Sequence, residues 1–251
     1  MTSLAFKMLV VCEVVPYARQ WLHAIFRVLR GQRSTPIVLR QEPAVLSSLH
    51  SFELLLSGDG RLAIPMAARQ FFPFADVEAL LVIFADASGD ESGMPRERRS
   101  GCQPGYGAWT VRGRTLYYMH GLWEHSLSIN VFEFIASLWA EVAFSRLCPS
   151  ASHLLSFTDN TADEWSMIRE TPHAASMQLV SEKRAAFLRR SGLFARAGRV
   201  PSAGNMWADE LSRQLVAKVL AEAAALGLTP ELVPVPPDMA DLPALVAALL
   251  A

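Results

Sequence analysis

Four carboxylates stand where a fold can gather them. Asp86 follows six uninterrupted apolar residues, Leu80 to Ala85, and precedes the small residues Ala87 and Ser88. Asp159 closes a second apolar run, His153-Leu-Leu-Ser-Phe-Thr158. Runs of this kind read as buried strands, and an unpaired charge at the end of one is costly, so each acid calls for a cation. Glu133 lies on a helical stretch and shares its face with Ala136, Ser137 and Ala140, small residues that let a carboxylate approach a sheet. Asp209 falls in the first turn of a later helix, where the dipole favours an anion. Mg²⁺ prefers a few carboxylates plus water and phosphate oxygens. Two such ions about 4 Å apart can activate a water and stabilise the leaving oxygen of a phosphodiester. Taken singly, a strand-end Asp is also a common turn residue and an Asp at a helix start a common cap. The order of elements between the four is what makes them read as one set.

A nuclease also needs groups for a polyanion. Residues 183–199 hold Lys183, Arg184, Arg189, Arg190, Arg196 and Arg199 and no acid, which reads as a basic rim making phosphate contacts. Arg96, Arg98 and Arg99 form a second basic group. Asn130 and Asn160 are candidates for hydrogen bonds to the nucleic-acid backbone or to 2′-OH groups. Trp109, Trp123 and Trp207 read as core. His125 and His153 are the histidines nearest the acids, and neither is assigned a catalytic role.

The elements that must position these residues follow from periodicity. Strands are expected at 80–88, 105–111, 115–122, 153–160 and 194–200. Helices are expected at 128–144 with Ser128 as N-cap, at 161–169, at 174–190 ending at Gly192, and at 206–225 capped by Asn205. The first three strands make an antiparallel meander. The helix between the third and fourth implies a crossover, which can lay the fourth strand parallel to the first and bring Asp86 and Asp159 to one sheet edge. The fold class is therefore α/β: a mixed five-stranded sheet flanked by helices. Before it, residues 17–30 and 43–57 read as helices of a small N-terminal module, 1–77. After it, residues 216–251 carry Pro230, Pro234, Pro236 and Pro237 and read as a helical, proline-rich tail, loosely packed from 226 onward. Residues 89–104 are a charged Gly/Pro-rich surface loop able to cover the site or meet a partner.

Composition sets limits. Of 251 residues, 51% are apolar and 19% charged, as in a well-buried globular chain, and a net charge of −1 means that any nucleic-acid affinity must come from local charge. The three cysteines, Cys12, Cys102 and Cys148, form no CxxC pair, so neither a disulfide framework nor a zinc knuckle is expected, and an intracellular, reduced setting is. No stretch approaches the ~20 apolar residues of a membrane span.

Asp86-Ala-Ser88, Gly105-Tyr-Gly-Ala-Trp109, Ile129-Asn-Val-Phe-Glu133, Thr158-Asp-Asn160 and Gly204-Asn-Met-Trp-Ala-Asp-Glu-Leu-Ser-Arg213 together resemble the ribonuclease H domain of retroelement reverse transcriptases, closest to the DIRS-type and gypsy-like branch. The resemblance covers about residues 78–215. It implies a ribonuclease H-like sheet, two Mg²⁺ or Mn²⁺ ions, and Asp86, Glu133, Asp159 and Asp209 as catalytic metal ligands. It further implies cleavage of the RNA strand of an RNA–DNA hybrid. Residues 1–77 more loosely resemble the connection segment that follows the polymerase, which would make the polymerase part of the same polyprotein a partner. There is no polymerase palm motif. The loop Val200-Pro-Ser-Ala-Gly-Asn205 also lacks the histidine that many cellular ribonucleases H place before the fourth acid. Two competing readings keep the fold: a domesticated module that binds nucleic acid or protein without cutting, and a DNA-cleaving relative.

Overall fold

The structure is a computed structural model, and it describes residues 22, 25, 43–56, 79–89, 103–160, 167 and 174–250. The expected helices at 17–30 and 161–169, and Arg96, Arg98 and Arg99, lie largely or wholly outside that set. Within it, the element order is α1 (Pro43–Leu56), β1 (Leu80–Ser88), β2 (Gly105–Arg112), β3 (Thr115–Leu122), α2 (Ile129–Leu147), β4 (His153–Thr158), α3 (Ala175–Ser191), β5 (Phe194–Arg199), α4 (Met206–Ser212), α5 (Val216–Ala225), β6 (Thr229–Leu232) and α6 (Leu242–Leu250).

The strands form one mixed sheet in the order β5-β4-β1-β2-β3-β6. β1, β2 and β3 are the antiparallel meander, while β4 lies parallel to β1 and β5 parallel to β4. The β1–β4 register sets Phe84 opposite Phe157. Asp86 and Asp159 each follow two residues later. Because side chains alternate with period two, both acids leave the same edge on the same face.

That face is shaped by aromatic packing. Phe84 stacks on Trp109 with ring centroids 4.3 Å apart and also meets Phe157 at 5.1 Å, and Trp109 meets Trp207 edge-on. β1 is consequently not a strand of even burial. Leu81, Ile83, Ala85 and Ala87 are deeply buried beneath α2, whereas Val82 and Phe84 on the opposite face are half-buried. α2 itself is buried without a break from Val131 to Phe144.

What covers the back of α2 differs from the expectation. Residues 226–250 are not a loose tail. β6 adds a sixth strand parallel to β3, and Val233, Met239, Leu242 and Val246 enter the main core. Trp139 Nε1 donates to the Met239 carbonyl at 2.9 Å, which fixes this segment across α2. Prolines obscured the strand in the sequence. β6 is an edge strand, where a residue without an N–H is tolerated, and Pro230 occupies it.

The expected helix 206–225 is broken into α4 and α5. Gln214, at φ 63°, is the one non-glycine residue with positive φ among those described. Its side-chain amide donates to the Gly121 carbonyl at 2.8 Å and its Oε1 meets His120 Nδ1 at 2.9 Å, so contacts to β3 hold the corner. Ser128 and Asn205 sit at helix starts without side-chain caps. At Ser128 the backbone carbonyl accepts from the Val131 and Phe132 amides instead.

Arg184, expected at the nucleic-acid rim, is an internal residue. Only 2% exposed, it donates from Nε to Glu141 Oε2 at 2.8 Å and from Nη2 to Glu141 Oε1 at 2.9 Å, while Ser156 Oγ donates to the same carboxylate. Its spacing on α3 places it on the face turned toward α2, and a charge there persists only because Glu141 neutralises it. Removing one partner strands the other. Arg184→Met should therefore destabilise the protein by about 3–5 kcal/mol in urea denaturation. The double variant Arg184→Met/Glu141→Leu should recover most of that loss, and a double variant as unstable as the single one would contradict the assignment.

Candidate metal centre

Asp86, Glu133 and Asp159 each offer a carboxylate oxygen, and the three oxygens lie within 4.8 Å of one another. Two of the acids are buried, Asp86 at 6% and Glu133 at 7% exposure. Each arrives from a different element. Asp86 comes from the third-last position of β1 and Asp159 from the residue after β4. Glu133 comes from the second turn of α2, whose small residues Ala136 and Ala140 are fully packed.

Asp209 is not one of the three that converge. It is on α4, close enough that its charge acts on Asp86, but its Oδ1 accepts from Arg213 Nε at 2.8 Å in an i,i+4 ion pair. α4 approaches the sheet over Gly107, the residue paired with Asp86. A Cβ at Gly107 would lie 2.5 Å from the Ala208 carbonyl oxygen and from Leu211 Cβ, so only glycine allows α4 to lie so low. Asn205 anchors the start of α4: its side chain is fully buried and Nδ2 donates to the Ala85 carbonyl at 3.0 Å, on β1 one residue before Asp86. That buried tie replaces the capping role expected for Asn205.

The electrostatics are those of an uncompensated acid. Burial pushes the Asp86 carboxyl from 3.8 up to about 7, and the charges of Asp159 and Asp209 push the same way. A hydrogen bond from Ser212 Oγ, at 2.9 Å from Oδ2, and the Arg213 charge oppose the rise without cancelling it. A divalent cation supplies what this donor set lacks. Three hard oxygens, two of them shielded from water, fit Mg²⁺ or Mn²⁺.

The other expected residues divide. Asn130 and Asn160 lie beside the cluster, joined by an Asn160 Nδ2 bond to Asn130 Oδ1 at 3.0 Å. Arg199 ends β5 next to Asp159, its Nε donating to the Asp159 carbonyl oxygen at 3.3 Å. Arg189 and Arg190 are in the last turn of α3. α3 leads into the start of β5, where the Phe194 amide bonds to Ser152 just before β4, so both arginines lie at the sheet edge opposite the acids. Arg190 is 3.7 Å from Asp238 there. Lys183 is half-buried midway along α3. His153, at the start of β4, is also on the far edge, with Nδ1 meeting Ser152 Oγ. Ser212 and Arg213 stand in the motif that closes the sequence resemblance, but no site role attaches to them there. The signal for Arg213 was present, since residues four apart on a helix face each other.

No protein-family model matches the sequence, and no curated protein matches it. Among solved structures, the chain is similar to RNase H1 from the halophilic archaeon Halobacterium salinarum NRC-1, at 15% identity and a TM-score of 0.41, over 55% of this chain and 98% of that one. It is also similar to the N-terminal RNase H domain of rv2228c from Mycobacterium tuberculosis, solved as a fusion with maltose-binding protein, at 18% identity and a TM-score of 0.41, over 58% and 99%.

The raised value for Asp86 has a definite sign. Since the folded-state value exceeds that of the unfolded chain, this group's stabilising contribution is complete below about pH 4 and is lost as pH climbs through about 7. In chelator, wild type should lose roughly 2–3 kcal/mol relative to Asp86→Asn between pH 5 and pH 8, from urea midpoints. Saturating Mg²⁺ should flatten that difference. A pH-independent gap in chelator would contradict the burial argument.

Proposed function

We propose that this protein is a divalent-metal-dependent nuclease of the ribonuclease H type, which hydrolyses the RNA strand of an RNA–DNA hybrid. The observation that carries the reading is the convergence of Asp86, Glu133 and Asp159 within 4.8 Å at the end of the parallel β1–β4 pair. A binding module gains nothing from gathered negative charge beside phosphates, whereas a metal-dependent hydrolase requires it. Asp86, Glu133 and Asp159 would hold Mg²⁺ or Mn²⁺, and Asp209, approaching on α4, completes the donor set for a second ion. When bound, such ions supply Lewis acidity toward the phosphodiester and toward water.

The chain's own residues supply placement. The Asn130–Asn160 amide pair borders the cluster with hydrogen-bonding groups that suit a nucleic-acid backbone or a ribose 2′-OH. Arg199, exposed and tied to the Asp159 backbone through Nε, offers its terminal N–H groups, unpaired among the described residues, to a phosphate. The retroelement context rests on the motif order read in the sequence. On that reading residues 1–77 are a connection segment, the polymerase part of the same polyprotein is a partner, and the enzyme acts inside the cell. Among the described residues no helix is long and apolar enough to cross a membrane.

The test is cleavage of an RNA–DNA hybrid, double-stranded DNA and double-stranded RNA of one sequence, with Mg²⁺ or Mn²⁺. The hybrid should be cut in its RNA strand and the duplexes spared. Asp86→Asn and Asp159→Asn should each abolish cleavage, well beyond the ~10–100-fold typical of losing a ligand's outer hydrogen-bond partner. Retained activity in either variant would refute the site. Tight hybrid binding without cleavage under every metal would favour the non-catalytic module instead.

A further inference from the structure

We infer that Ser212 is the positioning residue of this metal centre, fixing the orientation of the Asp86 carboxylate; the inference rests on the reading of that cluster as a metal site. Ser212 is completely buried, and its Oγ lies 2.9 Å from Asp86 Oδ2. Among the described residues it is the one hydrogen-bond donor to that carboxylate. A ligand carboxylate with one oxygen held in this way presents the other toward the ion at a fixed angle, which is how partners behind a ligand tune a metal site.

Several independent ties hold Ser212 in place. Its carbonyl oxygen accepts from Ser88 Oγ at 2.9 Å, and Ser88 Oγ itself accepts from the Gly105 amide at 2.9 Å, so the end of α4 is bound to both β1 and β2. The bare Cα of Gly107 leaves room for the Ser212 backbone amide directly above it. Two residues on, the left-handed Gln214 and its amide bond to Gly121 fix the chain against β3. A hydroxyl held from three strands is a rigid donor rather than a passing contact.

The hydroxyl has one proton and two acceptors in reach, since the Asp209 carbonyl is 2.8 Å away. A metal-bound carboxylate is anionic and the stronger acceptor, so metal binding directs that proton to Asp86. Ser212 thereby acts on the ions through Asp86 and needs no contact with substrate.

Mn²⁺ titration calorimetry on the full chain tests this, with wild type, Ser212→Ala, Ser212→Cys and Ser88→Ala. Ser212→Ala should weaken Mn²⁺ binding about 10–100-fold. Ser212→Cys, a near-isosteric but weak donor, should fall between, and Ser88→Ala, which loosens the residue while keeping its hydroxyl, should cost less than Ser212→Ala. Circular dichroism in chelator should be unchanged, and cleavage by Ser212→Ala should recover toward wild type at saturating Mn²⁺, separating metal affinity from turnover. A folded Ser212→Ala that binds Mn²⁺ like wild type, while wild type binds and cleaves, overturns the positioning role alone. If Ser212→Ala does not fold, Ser212→Cys decides: unchanged Mn²⁺ affinity there overturns the role, and weakened affinity supports it. A wild type that binds no Mn²⁺ overturns both this inference and the metal centre beneath it.

Discussion

The structure depends on one electrostatic constraint: three carboxylates of like charge are driven together at the end of a buried strand pair, two of them out of water. Folding relieves this repulsion only in part, because Arg213, whose charge reaches Asp86, is engaged with Asp209 at the side of the cluster. The surrounding architecture makes the arrangement tolerable. Hydrophobic packing of α2 against β1 and the aromatic stack between β1, β2 and β4 supply the stabilisation that holds the acids where they repel. Strain of this kind is expected where a fold is shaped for a ligand rather than for its own stability.

Two buried charged clusters show how differently the protein treats an acid. Glu141 is fully enclosed and answered by two N–H groups, Nε and Nη2, on one edge of the Arg184 guanidinium and by Ser156. Asp86 is nearly as enclosed and answered by one hydroxyl. The first is an internal fastening between α2, α3 and β4. The second, at the end of β1, is left short of compensation. That contrast, more than the presence of acids, separates a functional carboxylate from a structural one.

Much of this was legible from sequence where local pattern and tertiary context agree. The bounds of β1 and β3, the meander, the parallel β4 and the meeting of Asp86, Glu133 and Asp159 all follow from apolar runs, short connections and a helical crossover. Legibility failed where long-range packing decides. Arg184 reads as one more cation in a basic stretch, because nothing local announces that Glu141, 43 residues earlier, will face it. The proline-rich segment after 226 reads as irregular, because only the assembled sheet offers an edge that accepts Pro230. Arg189 and Arg190 lie near Arg199 in sequence, yet β5 runs between them, and its six residues span roughly 20 Å, so they lie at opposite edges of the sheet. Asn205 reads as a cap because its type and position suit one, whereas its side chain is spent on the Ala85 carbonyl.

The sixth strand bears on the order in which the protein is made. α2 is the most enclosed helix of the fold, yet part of its cover comes from Val233, Met239, Leu242 and Val246, nearly a hundred residues later. During synthesis the meander, α2 and the β4–β5 pair can assemble as they leave the ribosome, but one side of Trp139 and its neighbours stays uncovered until residues 233–246 emerge. The nascent protein thus carries a sticky apolar groove from the completion of α2 until residues 233–246 emerge, the condition under which chains recruit chaperones or misassociate. The same late segment that hides in the sequence as an unremarkable tail is the one that closes the molecule.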